Sequence, residues 1–396
     1  MSGIYLDYAA TTPLDAEVLK EMQPYFSEIF GNSHSQHGFG REAMKAVDAA
    51  RKQVADALNA SANEIYFTAS GTEADNWAVK GTAFARKDKG KHIVTTKIEH
   101  HAILNSCEWL EEQGFEVTYL PVDSFGAVRM EDLKNALRED TILVSVMMAN
   151  NEVGTVQPSE EIGEYVKQYA KNALYHIDAV QAAGALPIDV KTLKCDLLTI
   201  SAHKFYGPKG VGALFIRNGV RIDKWIVGGG QERSMRGGTT NTPGVVGMGK
   251  AIENAIAREV EYVKHCASLR DYFIDRVQKE IPNVKLNGHP IRRLPNNANF
   301  SFEFIEGESL LMRLDLDGIA VSSGSACSSG SLEPSHVLRA MGVDVVLAHG
   351  SIRFTFGKHT TKEEVDTTVE CLKKNVEILR KMSPLFRWKE GEMKNA

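Results

Sequence analysis

Lys204 is the residue whose setting most directly suggests covalent chemistry. It follows the apolar run Asp196-Leu-Leu-Thr-Ile200, in the segment Ser201-Ala-His-Lys-Phe-Tyr-Gly-Pro-Lys-Gly210. Desolvation at the end of such a run lowers an ammonium pKa and leaves a nucleophilic amine able to form a Schiff base. Asp178 closes another apolar run, in Tyr175-His-Ile-Asp-Ala-Val-Gln181, and could pair with a protonated pyridine nitrogen. By itself Asp178 reads more simply as a strand-end cap. The turn Ser70-Gly-Thr-Glu73 opens a helix, where free N–H groups and the helix dipole favour an anion and glycine permits close approach. An ordinary cap by Ser70 or Thr72 explains that turn equally well. Gly207-Pro-Lys-Gly-Val-Gly212 lacks the Lys-Ser/Thr pair of a P-loop, so a nucleotide is not the expected phosphate ligand.

These groups need a scaffold that gathers them. From about residue 37 to 260 helical spacing, as in Ala43, Met44, Val47, Val54 and Leu58, alternates with short apolar runs. That alternation predicts repeated βαβ units around a largely parallel sheet, an α/β fold. The expected strands are Glu64–Ala69, His92–Thr96, Glu116–Leu120, Thr141–Val146, Ala173–Ile177, Asp196–Ile200 and Gly212–Ile216, with helices over Met130–Arg138 and Ser159–Lys171. One long helical stretch, Val245–Ile281, follows, then strands near Asn299–Phe304 and Ser351–Phe356. The domain change is expected near residue 260, and Lys389–Ala396 reads as a loose tail. Ligands of open α/β sheets bind at the carboxyl ends of the strands. Thr72, His100, Asn151, Asp178, Ser201, His203 and Lys204 each come just after a predicted strand and form one coherent set.

A chain of 396 residues suits one large and one smaller domain. Apolar residues make up 43% and charged residues 24%, ordinary for a folded globular protein. The net charge of -5 is spread along the whole length, which gives no electrostatic footprint for nucleic acid or an anionic membrane. No apolar run approaches the ~20 residues of a membrane helix, and no basic-then-apolar leader opens the sequence, so a cytoplasmic protein is expected. Five scattered cysteines without a Cys-x-x-Cys pair argue against a zinc site, a cluster held by this chain alone, a dithiol or a disulfide framework. No metal is expected, and Cys107, Cys195, Cys266 and Cys371 are expected to be small buried hydrophobes.

Ile177-Asp-Ala-Val-Gln181 and Ser201–Gly210 resemble the cofactor motifs of the NifS/IscS cysteine desulfurases, class V aminotransferase relatives of fold type I. Tyr5-Leu-Asp-Tyr-Ala-Ala-Thr-Thr-Pro13, Gly31-Asn-Ser-His34, Glu99-His100, Asn150-Asn-Glu-Val-Gly154 and Ser323–His336 resemble that family too, in order and spacing. The resemblance implies pyridoxal 5'-phosphate as cofactor and the aspartate aminotransferase-like PLP-dependent transferase fold. That fold has a large domain, residues 15–260, with a mostly parallel sheet flanked by helices. A smaller α+β domain would comprise residues 1–14 and 261–396.

The same resemblance assigns roles. Lys204 becomes the Schiff-base lysine, Asp178 the partner of the pyridine nitrogen and Gln181 a donor to the phenolic oxygen. Gly71, Thr72, Ser201 and His203 hold the phosphate, and Thr239 of the partner subunit completes its cup, which implies a homodimer. Gly237 stands where relatives carry serine after Arg236, a departure that removes no essential group. His100 stacks on the ring and moves protons, as suits histidine near neutral pH. Asn151 contacts the cofactor or the substrate carboxylate, with Asn150 the weaker candidate, and Arg353 clamps that carboxylate.

Cys327 lies in a run of small residues, Ser322–Ser331, expected to be mobile. The family's chemistry needs such a thiol to take sulfur from L-cysteine and carry a persulfide to an acceptor, an iron-sulfur scaffold or a thiolation protein. L-Alanine is the implied co-product. Two other readings stay open at this point: a selenocysteine lyase or class V aminotransferase, against which the Cys327 segment argues, and a non-catalytic sulfur-trafficking scaffold without a Schiff base.

Overall fold

The computed structural model describes residues 3–323, 334–384 and 386 of the chain. Twelve strands are described: β1 (Ile4–Tyr5), β2 (Ile65–Thr68), β3 (His92–Thr96), β4 (Glu116–Leu120), β5 (Thr141–Ser145), β6 (Leu174–Asp178), β7 (Leu197–Ser201), β8 (Gly212–Ile216), β9 (Val284–Asn287), β10 (Asn297–Phe302), β11 (Ile319–Ala320) and β12 (Ser351–Thr355). β2 to β8 build a seven-stranded sheet in the order β2-β8-β7-β6-β5-β3-β4, parallel except for β8, which runs antiparallel to both neighbours. Its inner strands are buried along their whole length because helices cover both faces. Val94, Val144, Ile177, Leu198 and Phe215 pack on one side, and Ile93, Ile142, Leu174, Leu197 and Leu214 on the other. This is the mostly parallel, helix-flanked sheet expected from the sequence.

β12-β10-β9 form a separate antiparallel sheet, and β1 pairs in parallel with β11. Their core is aromatic. The Phe273 ring centroid lies 4.8 Å from that of Phe354 and 5.5 Å from that of Phe356, with Leu6, Phe300 and Phe302 in the same cluster. The helix Lys362–Met382 covers it, started by a capping box in which Thr361 and Glu364 satisfy each other's backbone N–H groups.

The stretch expected as one helix, Val245–Ile281, is two: Thr242–Ala257 and Glu259–Glu280, broken at Arg258 with φ -112° and ψ 10°. The first buries Val245, Met248 and Ile252 in the core of the large sheet, the second Leu269, Phe273 and Val277 in the aromatic core. One straight helix could not face both. β1, β9 and β11 were not anticipated; two have only two residues, too short for alternation to register. Cys107, Cys195 and Cys266 are buried as expected, but Cys371 is only half-buried, on the partly covered flank of a surface helix. Lys389–Ala396 lies outside the described residues.

Candidate active site

Five strand ends, those of β2, β3, β5, β6 and β7, and the turns after them converge at the carboxyl edge of the large sheet. After β2, Ser70 caps the helix Gly71–Arg86 by accepting from the Glu73 N–H at 3.1 Å. Gly71 and Thr72 are its first two residues, so their N–H groups are among those that no helical carbonyl takes. A Cβ on Gly71 would stand 2.9 Å from Val180 and 3.3 Å from the Cβ of Ser201. The turn is therefore pressed against the ends of β6 and β7, and a Cβ here would require the Val180 side chain to shift.

After β7, Lys204 Nζ donates to the carbonyls of Ala9 at 2.6 Å and Ala10 at 2.8 Å. Gln181 Nε2 donates to the same Ala9 carbonyl at 3.1 Å. His203 Nδ1 meets Thr11 Oγ1 at 3.1 Å, and burial together with the charges of Lys204 and Lys209 brings its pKa down to about 4. Tyr206 takes a left-handed φ of 66°, held by its N–H on Thr12 Oγ1 at 2.8 Å. A cavity of about 290 Å³ opens beside Lys204 and Gln181, walled by Tyr8, Tyr206, Tyr262 and Lys358.

Asp178 ends β6, 6% exposed, accepting from the Val180 N–H at 2.9 Å. Burial pushes its pKa up to about 6 against the opposing pull of that N–H and of Lys204. Behind it lies a buried polar chain: Ser145 Oγ to His176 Nδ1 at 2.9 Å, and His176 Nε2 to Thr199 Oγ1 at 3.1 Å and to Asp75 Oδ1 at 3.7 Å. Asp75 Oδ1 has no hydrogen-bond partner among the described residues, and burial, then the charge on Asp178, holds its pKa well above the usual range. Burial alone drops His176 to about 3, so its ring is neutral near pH 7.

His100 caps the helix His101–Glu112, its Nδ1 accepting from the Ala102 N–H at 3.1 Å. Burial, then the charges of Lys204, His101 and His336, lower its pKa to about 4. Asn150 and Asn151 follow β5 and differ sharply. Asn150 is buried, its amide donating to the Ile98 carbonyl and accepting from Glu152 and Val153 N–H groups, so its side chain is spent on the turn. The Asn151 carbonyl accepts from Arg353 Nη1 at 2.9 Å, and Asp7 Oδ1 accepts from Arg353 Nη2 at 2.8 Å.

The sequence pattern of the class-V aminotransferases matches residues 4–368. The chain belongs to that family. It is 55% identical over 387 residues to the cysteine desulfurase IscS of Dictyoglomus turgidum, covering 98% of each chain. Against the IscS of Methanosarcina thermophila it is 56% identical, covering 97% of this chain and 94% of that one. Among solved structures, a NifS-like protein superposes with a TM-score of 0.90 at 42% identity, covering 96% of this chain and all of that one. A NifS-like protein from Rickettsia africae gives 0.85 at 31%, covering 95% of this chain and all of that one.

The cofactor of this class-V enzyme is pyridoxal 5'-phosphate, and the donor set fits it. The open N–H groups at Gly71 and Thr72 with Ser201 beside them suit a phosphate, buried Asp178 suits a protonated ring nitrogen, and the Lys204 amine is near enough for its charge to act on Asp178. Thr239 is exposed, in the loop that Arg236 ties to Glu73 on the phosphate-turn helix at 2.8 Å. Cys327 lies outside the described residues, which resume at 334. Sequence reasoning missed Asp7, Ala9, Ala10 and Asp75. The first three sit in the motif Tyr5–Pro13, a signal that was visible but carried no role; Asp75 shows no sign of burial in sequence, since helices commonly expose acids.

Among the described residues no helix is long and apolar enough to cross a membrane, and no group of histidine, cysteine and carboxylate side chains could hold a metal.

Proposed function

We propose that this chain takes sulfur from L-cysteine onto Cys327 and carries it as a persulfide to an acceptor protein, working in the cytoplasm as a homodimer. The activity is that of a PLP-dependent cysteine desulfurase, which converts L-cysteine to L-alanine. The whole-length likeness to cysteine desulfurases carries this reading. Residues 15–260 are read as the cofactor domain, and 1–14 with 261–396 as a second domain bearing Cys327.

When bound, the cofactor supplies an electron sink for charge developing at the substrate's α-carbon. In this reading Lys204 would hold it, and the same Nζ, once free, would take the substrate's α-proton. Asp178 keeps negative charge against the ring nitrogen, and Gln181 donates to the phenolic oxygen. Gly71, Thr72, Ser201 and His203 hold the phosphate with Thr239 of the partner subunit. Arg353 and Asn151 orient the substrate carboxylate. His100, neutral at physiological pH given its lowered pKa, is able to accept a proton beside the ring. The Cys327 thiolate attacks the substrate sulfur. An S–S bond forms as the C–S bond breaks, the bonding electrons stay with the carbon skeleton, and a proton added at the β-carbon with one returned to the α-carbon gives L-alanine. The acceptor is an iron-sulfur scaffold or a thiolation protein.

The test is incubation with L-cysteine, with alanine measured alongside mass analysis of the Cys327 peptide. Alanine with one added sulfur on that peptide is expected. Cys327→Ser should keep the cofactor colour and lose the persulfide; sulfur transfer undiminished in that variant refutes the assignment.

A further inference from the structure

The segment Tyr5-Leu-Asp-Tyr-Ala-Ala-Thr-Thr-Pro13 has no part in the reading above, yet it runs between the two groups that would meet one substrate molecule. Its first half is stitched to β12, the strand that carries Arg353. The Thr355 N–H donates to the Leu6 carbonyl at 2.8 Å, the Ala9 N–H donates to Thr355 Oγ1 at 2.9 Å, and Asp7 bridges Thr355. This places the Asp7 carboxylate on Arg353 Nη2 at 2.8 Å, while the Asn151 carbonyl takes Nη1 at 2.9 Å. Arg353 is 4% exposed, and its buried Nε has no hydrogen-bond partner among the described residues. A planar guanidinium gripped at both Nη atoms cannot rotate, and its unspent Nε–H is then aimed rather than searching. Two and three residues beyond Asp7, the carbonyls of Ala9 and Ala10 hold the Lys204 amine at 2.6 and 2.8 Å. Four consecutive residues therefore grip a group from each sheet.

We propose that Asp7 is a positioning residue: acting through Arg353, it aims that side chain at the carboxylate of the amino-acid substrate and sets its span to Lys204. This rests on the reading that Arg353 meets the substrate carboxylate. Asp7 serves here as the resting counter-ion of a buried cation, and its effect is confined to ligands that carry a carboxylate.

The experiment compares wild-type and Asp7→Asn holoenzymes, with two ligands titrated against the cofactor's visible absorption. L-Cysteine has amine, thiol and carboxylate; cysteamine has the same amine and thiol and no carboxylate. Asp7→Asn is expected to weaken L-cysteine binding and raise its KM about tenfold, the scale of one charge-assisted hydrogen bond. Its kcat should stay within about twofold, and the dissociation constant of cysteamine should not move. Equal weakening of both ligands, no change, or tighter L-cysteine binding overturns the proposal. If Asp7→Asn does not accumulate as holoenzyme, Asp7→Glu keeps the charge but displaces it; a selective loss on L-cysteine supports the proposal, and equal loss on both ligands overturns it. Arg353→Lys is run in parallel. If that variant treats L-cysteine and cysteamine alike, the carboxylate reading of Arg353 fails, a result separable from the failure of Asp7.

Discussion

At the carboxyl end of the seven-stranded sheet Asp178, Asp75 and Glu99 are buried acids steadied by neutral donors, Val180 N–H, the Thr199 hydroxyl, Met147 N–H and the Thr96 hydroxyl among them. Burial raises all three, Glu99 to about 8 and Asp178 to about 6. On the three-stranded sheet Arg353 is equally buried but already holds a carboxylate, Asp7, at 2.8 Å. In the proposed reading the first region meets the protonated ring nitrogen through Asp178. The second, balanced at rest, meets the substrate carboxylate through the Arg353 Nε–H, which has no partner among the described residues. Buried charges left in this condition are costly as structure, which is why they mark a site.

Four variants test this contrast. Lys204→Ala should have the largest effect, a loss of at least about 10³-fold in alanine formation, with no protein-bound cofactor trapped by borohydride at that position. Asp178→Asn should lower kcat/KM about a hundredfold, the scale of removing one partner from a buried charge pair. It also has a signature without cofactor. Because the folded pKa of Asp178 is about 6 and that of an unfolded aspartate about 4, the folded protein binds this proton more tightly. Its contribution to stability is thus lost as pH rises across that interval. Cofactor-free Asp178→Asn should gain urea midpoint relative to wild type from pH 4 to 6 and hold the gain above; a gain that shrinks with pH contradicts the assigned direction. Arg353→Lys should raise the KM for L-cysteine about tenfold or more, because an ammonium cannot grip Asp7, Asn151 and a substrate together; steady-state kinetics read this directly. The smallest effect is a control outside both regions. Thr361→Ala removes the cap of the helix Lys362–Met382 and should cost about 1 kcal/mol in chemical denaturation, with KM unchanged.

Much of the large sheet was legible in sequence because its strands are short, mostly apolar or β-branched runs that end in or next to polar residues. His92–Thr96, Glu116–Leu120 and Gly212–Ile216 were expected at the bounds observed. Lys204, Asp178 and His100 stood out by the same rule, as polar groups just past a run. The three-stranded sheet was harder. β9 has only four residues, and its polar Asn287 is buried by bonding Asn299 and Ser301 across the sheet, a partnership invisible in a linear pattern. Asn150 and Asn151 are also indistinguishable by type, and only the turn that consumes the Asn150 amide separates them.

The sequence by itself determined the alternation of strands and helices, the phosphate-suited turn, the lysine at a strand end and the family, because each is written in residue type and local spacing. The tertiary structure alone decided that residues 7 to 10 join Arg353 to Lys204, across 346 positions in one contact and 195 in another, and that Asp75 is buried behind Asp178. Those facts depend on which distant segments share a dry space. Local propensity carries no record of that, whereas the energy of a buried charge depends on little else.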